Sequence, residues 1–292
     1  MIEIIDTFLD YRDCFRDKLD APIDEKIDLW EKKYMIKYQE LEAKCKNDYE
    51  NCGYSWRDIA VNMVFNRIKA DFNKMLEAYN NINRSLKDIN HKVHQVFEIE
   101  PSLYIVLYCG LCNSAGWVDT YNGNRAILLG IDKIAELGWH TEEKIKPLIA
   151  HELCHVIHFE IRGEDELTAV EANNYNKGIW RIYEEGFAQY YQQKLTGDSI
   201  DSRGEEWIKI CNENQYKLKN LYLKALSDEK EGTKNFFGDW FKVIGISDAG
   251  YFLGAELIKK LNETYSIQEI AKLEFKAIEK EVIKFLKHSS FI

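Results

Sequence analysis

Proline is scarce in this 292-residue chain, which contains only three. Because proline interrupts helices, its scarcity permits long helices, and the many lysine, glutamate, isoleucine and leucine residues also favour them. The sequence has no run of about 18 apolar residues, so it predicts no membrane-spanning helix. The first residues have neither a basic region nor a continuous apolar core, and we therefore expect no secretory signal peptide.

Positive charge is also in deficit. The chain has 39 lysine and arginine residues against 49 aspartate and glutamate residues, which gives a net charge of −10 at pH 7. An acidic chain repels phosphate backbones, so we expect no broad nucleic-acid binding. No long basic run is present, which argues against attachment to an anionic membrane surface. The sequence does not indicate which oligomeric state the protein adopts.

The seven cysteines are an odd and scattered set, which is not typical of a disulfide framework. We interpret them as reduced thiols and expect a cytoplasmic protein. Cys109 and Cys112 form a C-x-x-C pair, a spacing found in redox and zinc sites. No second such pair accompanies it, and it continues the apolar run LYIVLYCGLC. A buried strand is therefore the favoured interpretation, and a redox or zinc role is the alternative.

Periodicity separates a helical beginning from a mixed remainder. Residues 1–98 carry apolar side chains near helical spacing, and we predict helices there without assigning them a chemical role. β-Branched and aromatic runs follow, and Asn122-Gly123 between two extended segments predicts a hairpin, because a type I′ turn needs positive φ at both central positions. Helical patterns then return. We predict a predominantly helical α+β fold, with a helical N-terminal region at 1–98 and a compact unit with a small, partly antiparallel sheet at 99–292.

The stretch AHELCHVIH contains the pattern His-Glu-x-x-His, at His151, Glu152 and His155. The surrounding pattern predicts a helix, and residues four apart share one helix face, so the two imidazoles can bind one ion. Glu152 lies about 100° around the helix from His151, within reach of a water on that ion. This arrangement suits zinc hydrolysis with a glutamate that moves the proton. The alternative is an amphipathic helix with packed histidines, because the pattern also arises by chance.

A zinc site of this kind needs a third protein ligand, and two local positions compete for it. His158 lies seven residues after His151 on the same helix face, but three ligands in line along a straight helix do not easily surround a tetrahedral ion. The final histidine of a metzincin corresponds to Ile161 in this chain. All four methionines precede the motif, so the later Met-turn of that family is absent. We expect a packing or supporting role for His158.

A glutamate on the next predicted helix is the third candidate. Glu184 and Glu185 precede Gly186, and Gly186 and Ala188 are small enough to let two helix backbones come close. A carboxylate from a neighbouring helix approaches the ion from outside the line of the histidines. Adjacent glutamates are also common on solvated helix faces, so the residues alone leave both interpretations open.

The segments HELCH and EEGFAQY resemble the gluzincin zinc peptidases. With the later segment GYFLG, the arrangement is similar to a family of predicted bacterial zinc-dependent proteases that share HExxH, EGxA and GYxxG. The resemblance covers roughly residues 100–262. It implies a zincin-like core in which His151, His155 and Glu185 bind Zn²⁺ and Glu152 is the general base. More distantly, the chain resembles the aminopeptidase-type gluzincins.

The resemblance also assigns two further roles. It implies that Tyr251 donates a hydrogen bond to the oxyanion, and that a peptide or protein substrate pairs with an edge strand within residues 114–121. The stretch between the two metal helices, residues 159–176, is longer than in the aminopeptidases and is expected to form a loop or a short helix. The Gly-x-Met-Glu-Asn signature of the aminopeptidases is absent. Gln189 is one candidate for supporting a metal-bound histidine, and a nearby acidic residue is another.

The sequence therefore predicts zinc-dependent peptide-bond hydrolysis. Two alternatives belong to other classes. One is a non-catalytic metal-binding or regulatory protein that keeps a metallopeptidase fold, and the other is a structural helical protein with an accidental motif. The sequence indicates neither the substrate nor whether ends or interior bonds of a peptide are cleaved.

Overall fold

The computed structural model describes residues 2–163, 173–197 and 201–287. Helices make up 65% of the structure, and the described residues also form a small four-stranded sheet. This composition confirms the predicted, predominantly helical α+β fold. Contacts divide the chain into two compact units between Glu152 and Leu153, inside one continuous helix. The boundary predicted between residues 98 and 99 lies within the first unit and stays a prediction.

The sheet belongs to the first unit and has the strand order β1-β2-β4-β3. β1 pairs with β2 and β2 with β4 in parallel, whereas β3 pairs with β4 in antiparallel orientation. Asn122 and Gly123 join β3 to β4 with φ angles of 49° and 74°, which confirms the predicted hairpin. The strands are β1 (Ile2–Asp6), β2 (Leu103–Tyr108), β3 (Gly116–Tyr121) and β4 (Asn124–Gly130).

Two short segments differ from the sequence-based expectation. β1 is a strand at the start of the region that we predicted to be helical; its partner β2 lies about a hundred residues away, so local periodicity does not show the pairing. β2 ends at Tyr108, and the segment from Cys109 to Cys112 forms a turn rather than a buried strand. Leu111 and Cys112 both adopt positive φ angles, of 63° and 54°, which a strand does not allow.

Helices pack around this sheet. The 30-residue helix α5 buries residues spaced three or four apart, and it stops at Glu98, whose left-handed φ of 57° ends the helical path. The helices of the first unit are α1 (Phe8–Phe15), α2 (Ile23–Leu29), α3 (Gln39–Asn51), α4 (Trp56–Ile59), α5 (Ile68–Phe97), α6 (Ile131–Glu136) and the first part of α7 (Glu142–Arg162). Short π-helical or 3₁₀ segments occur at Trp30–Tyr34, Met35–Lys37 and Ala60–Val64.

The second unit is helical throughout its described part. Its central helix, α8, begins where the Asn173 side chain accepts a hydrogen bond from the Asn176 N–H and ends at Gly197 in the left-handed conformation. The unit contains the end of α7, α8 (Asn174–Thr196), α9 (Glu205–Glu213), α10 (Gln215–Ala225), a 3₁₀ turn at Lys234–Phe236, α11 (Ala249–Leu261), α12 (Ile267–Ala271) and α13 (Phe275–Lys287). Among the described residues, none of the helices combines the length and the hydropathy that crossing a bilayer requires.

Helices α8 and α11 cross in direct backbone contact. A Cβ atom added to Gly186 would overlap the backbone of Gly254, and one added to Gly254 would overlap the carbonyl of Ile182. Only glycine fits at both positions, so the sequence fixes how close the two helices come. The crossing lies directly after Glu185 on α8 and three residues after Tyr251 on α11.

Candidate metal centre

The histidine motif lies on α7, and both imidazoles are buried or nearly so. His151 precedes His155 by one turn of this continuous helix. Glu185 comes from α8, and one carboxylate oxygen lies 3.3 Å from His155 Nε2. One ligand atom from each of the three residues lies within 4.8 Å of the other two. Among the described residues, no other group of histidine, cysteine, aspartate and glutamate side chains converges in this way.

This donor set fits a catalytic zinc ion. Two imidazoles and one carboxylate are a ligand set that catalytic zinc sites use, with a fourth position left open. Ligand atoms about 2.1 Å from a tetrahedral ion are about 3.4 Å apart, which is close to the separation between His155 and Glu185. Glu184, the other member of the acidic pair, is not part of the group. The fold therefore brings together the three residues that the resemblance nominates.

Glu152 directly follows His151 on α7 and is not part of the group of three. Its side chain is buried, and a Cβ atom added to Gly116 would lie 2.9 Å from its Oε1 atom. The carboxylate thus rests against the first residue of β3, at an edge of the sheet. The absence of a side chain at Gly116 makes room for it, a requirement that the sequence pattern does not reveal.

His158 has the packing role that was expected of it. Its ring is 1% exposed, lies 4.3 Å from the Phe187 ring centroid, and places Nε2 within 3.2 Å of the Tyr183 hydroxyl. That hydroxyl donates its hydrogen to the Ile270 carbonyl, so Nε2 of His158 is the donor to Tyr183. Burial, with the nearby His155 and Arg162, lowers the pKa of His158 to about 3, so the ring is neutral.

Tyr251 occupies the first turn of α11 and is half-buried. The contact between Gly186 and Gly254 holds its helix against the helix that carries Glu185. Burial raises the pKa of Tyr251 well above its usual range, and the negative charges of Glu185 and Asp248 raise it further. The phenol therefore keeps its proton at neutral pH, the state in which a tyrosine hydroxyl donates a hydrogen bond.

Gln189, one of the candidates for supporting a metal-bound histidine, contacts a different group. Its amide donates a hydrogen bond to Asp201 instead of bonding to a histidine of the motif. Asp201 also accepts hydrogen bonds from Arg203, which in turn bonds to Asp248. Local sequence patterns do not predict this cluster, because its members come from three separate segments and match no motif. The longer stretch between α7 and α8 is helical as far as Arg162, and residues 164–172 of it lie outside the described residues.

Comparison with protein-family models, with curated proteins and with solved structures finds no match for this chain. The likeness to the gluzincins therefore rests on the motif residues themselves, and family membership stays a prediction.

Proposed function

We propose that this protein is a zinc-dependent peptidase of gluzincin type. The observation that carries the proposal is the convergence of His151, His155 and Glu185, with Glu152 directly after His151 on α7 and its carboxylate against Gly116, the first residue of the edge strand β3. We also propose that the protein is cytoplasmic. The absence of a disulfide bond among its seven cysteines supports this location.

The side chains of the centre divide the work of hydrolysis. When bound, Zn²⁺ supplies Lewis-acid polarisation and lowers the pKa of water. Glu152 accepts the proton of the attacking water and delivers it to the leaving amine, since it directly follows the ligand His151 and is not itself a member of the ligand group. Tyr251 donates a hydrogen bond to the negative oxygen that develops on the scissile carbonyl.

The main chain of β3 supplies a place for an extended peptide. The Gly130 N–H donates to the Ala115 carbonyl, so Ala115 and Gly130 are a hydrogen-bonded pair. Along an antiparallel ladder, hydrogen-bonded and non-hydrogen-bonded pairs alternate. Every second residue of β3 therefore directs its N–H and C=O groups away from β4. Gly116, Val118 and Thr120 are those residues. Ser114 Oγ donates to the Gly116 carbonyl at 2.9 Å.

At the other end of these three residues, the Thr120 N–H also has a partner within the protein. Asp119 Oδ1 accepts the Thr120 N–H at 2.7 Å. Within the described part of the chain, both main-chain groups of Val118 are left for a substrate strand, which would form a pair of hydrogen bonds with them. Val118 lies two residues, about 7 Å, from Gly116, where the Glu152 carboxylate rests. A peptide paired at Val118 thus passes next to the proposed general base.

Substitution of Glu152 by glutamine tests the function. The variant keeps the shape of the side chain and all three ligands, so we expect it to bind one equivalent of zinc. Hydrolysis of a mixed peptide pool, followed by mass spectrometry, is expected to fall by about 10²–10⁴-fold. The control is Glu160→Gln, an exposed glutamate on the same helix, which is expected to keep wild-type activity.

Two results would contradict this proposal. Full turnover by Glu152→Gln would exclude the glutamate as the general base. Wild-type protein that binds zinc but hydrolyses no member of the pool would favour the non-catalytic alternative.

Substitution of Val118 by proline tests the substrate strand separately. Proline removes only the outward N–H at this edge position and leaves the bonds to β4 intact. We expect KM to rise about 5–10-fold at nearly constant kcat, because one hydrogen bond made equally in substrate and transition state is lost. Val118→Ala is the control for the side chain, and equal kinetics of the two variants would exclude the proposed pairing.

A further inference from the structure

A buried ion-pair network links α8, the helix of Glu185, to the start of α11, the helix of Tyr251. Asp201 and Asp248 are 3% and 6% exposed, and the guanidinium of Arg203 donates to both. Its Nη1 atom lies 3.3 Å from Asp201 Oδ1, and its Nε atom lies 3.0 Å from Asp248 Oδ2. Gln189, one turn after Glu185 on α8, donates to Asp201, while Asp248 is the residue that precedes α11.

The same guanidinium lies against the ring of Tyr251. Its central carbon is 4.3 Å from the ring centroid. Phe237 meets that ring from another direction, edge-on, with the two centroids 5.5 Å apart and the planes inclined by 71°. The Tyr251 N–H also donates to the Asp248 carbonyl, so one aspartate holds both the arginine and the backbone of the tyrosine. These contacts fix the plane of the phenol ring.

Stability alone does not explain why an arginine occupies this position. Removing charges from water is costly, and apolar residues of similar volume stabilise a protein interior at least as well as a buried ion pair. Burial by itself would raise the pKa of Asp201, but the charge and hydrogen bonds of Arg203 lower it, so the carboxylate stays ionised. The network therefore maintains a fixed, charged guanidinium whose nearer aromatic neighbour is Tyr251, at 4.3 Å, with Trp207 at 5.0 Å.

We propose that Arg203 is a positioning residue for Tyr251, which it holds by its contact with the ring face and its bond to Asp248. This inference rests on the proposed function, because it takes Tyr251 as the oxyanion donor. A cation on the face of the ring also draws electron density from the phenol and strengthens its hydroxyl as a donor. A lysine keeps the charge but lacks the planar group that lies on the ring and donates to both aspartates.

The test combines Arg203→Lys with Tyr251→Phe in a double-mutant cycle. We expect Arg203→Lys to lower kcat about 10-fold with KM within about twofold of wild type, since the affected bond forms in the transition state. In the Tyr251→Phe background the same substitution is expected to change kcat less than twofold, because the hydroxyl that Arg203 positions is already gone. Equal losses in both backgrounds would overturn the inference, since a merely structural role predicts them.

A second measurement needs no hydrolysis. In protein labelled with ¹³Cζ-tyrosine, the resonance that disappears in Tyr251→Phe belongs to Tyr251. We expect Arg203→Lys to shift this resonance, whereas Arg57→Lys, which alters an exposed pair with Asp24, is expected to leave it unchanged. An unchanged resonance in Arg203→Lys overturns this inference alone, and inactivity of the wild-type protein contradicts the proposed function alone.

A replacement variant keeps the test valid if Arg203→Lys does not fold. The double substitution Arg203→Gln with Asp201→Asn removes one positive and one negative charge, so it leaves no additional uncompensated carboxylate in the interior. The same cycle with Tyr251→Phe and the same resonance decide the outcome.

Discussion

Two sequence patterns typical of metal sites occur in this chain, the Cys109–Cys112 pair and the histidine motif, and their side chains have different surroundings in the fold. In the turn at Cys109–Cys112, the nearby Asp132 carboxylate accepts the Cys112 N–H at 2.8 Å and the Lys133 N–H at 3.1 Å. Both oxygens of this carboxylate therefore accept hydrogen bonds from the protein backbone. In the histidine motif, side chains from α7 and α8 instead aim their ligand atoms at one another, all within 4.8 Å.

The chemical state of the donors differs in the same way. Burial raises the pKa of both Cys109 and Cys112 well above its usual range, and the charge of Asp132 raises it further, so the thiols stay protonated. A protonated thiol is a poor metal ligand. Spacing along the sequence is therefore weak evidence for a metal site. Convergence of donors from separate elements is the stronger evidence.

The largest expected difference between the two regions is in zinc affinity. Glu185→Gln removes a charged ligand, and we expect affinity to fall at least 100-fold, because even outer partners of zinc ligands contribute about 10–100-fold. The double variant Cys109→Ser with Cys112→Ser is expected to bind zinc like the wild type. Competition with a chromogenic chelator measures both. Loss of affinity in the cysteine variant, with no loss in the glutamate variant, would reverse the assignment of the two regions.

The helix crossing that positions Glu185 is expected to show the next largest effect. Gly186→Ala places a methyl group into the backbone of Gly254, and we expect the free energy of unfolding to fall by about 3 kcal/mol. Gly53→Ala is the control, because Gly53 has positive φ but open space around it, and we expect a loss of about 1 kcal/mol. Urea denaturation measures both losses. Equal losses would mean that the close approach of α8 and α11 contributes no packing constraint.

The smallest effect concerns pH and Asp132. Burial raises the pKa of this carboxyl to about 6, above its value in the unfolded chain, so the folded state binds its proton more tightly. The resulting stabilisation is fully present below about pH 4 and is lost as pH rises to about 6. We expect the free energy of unfolding of the wild type, relative to Asp132→Asn, to fall by about 2 kcal/mol between these values.

Urea denaturation at pH 4, 5, 6 and 7 measures this difference. A difference that stays constant or grows with pH would contradict the conclusion that burial of the Asp132 carboxyl outweighs the backbone hydrogen bonds that it accepts.

Local patterns predicted those parts of the fold that depend on neighbouring residues. Asn122-Gly123 encodes its turn in two residues, and the apolar stripe of α5 is visible over 30 residues. β1 was missed because its five residues pair with a strand about a hundred positions later. The cysteine turn was missed because LYIVLYCGLC is apolar throughout, and apolarity does not distinguish a strand from the buried turn that follows it.

The site residues also differ in whether local sequence patterns predict them. The spacing of His151 and His155 is local, so a single helix explains it, whereas Glu185 was chosen over Glu184 only through the resemblance. The structure gives the physical reason for that choice: Gly186 must face α11, and this sets which of the two glutamates turns towards α7. Arg203 was not predictable, because its contacts with Tyr251 and the two aspartates exist only after the chain has folded.

A crystal structure of protein purified without added zinc, with diffraction data collected on both sides of the zinc absorption edge, shows whether His151, His155 and Glu185 bind zinc. We expect one anomalous peak per chain, about 2.0–2.2 Å from one nitrogen each of His151 and His155 and from a carboxylate oxygen of Glu185. A peak at the cysteine turn, or no peak within bonding distance of these three residues, would contradict the proposed zinc site.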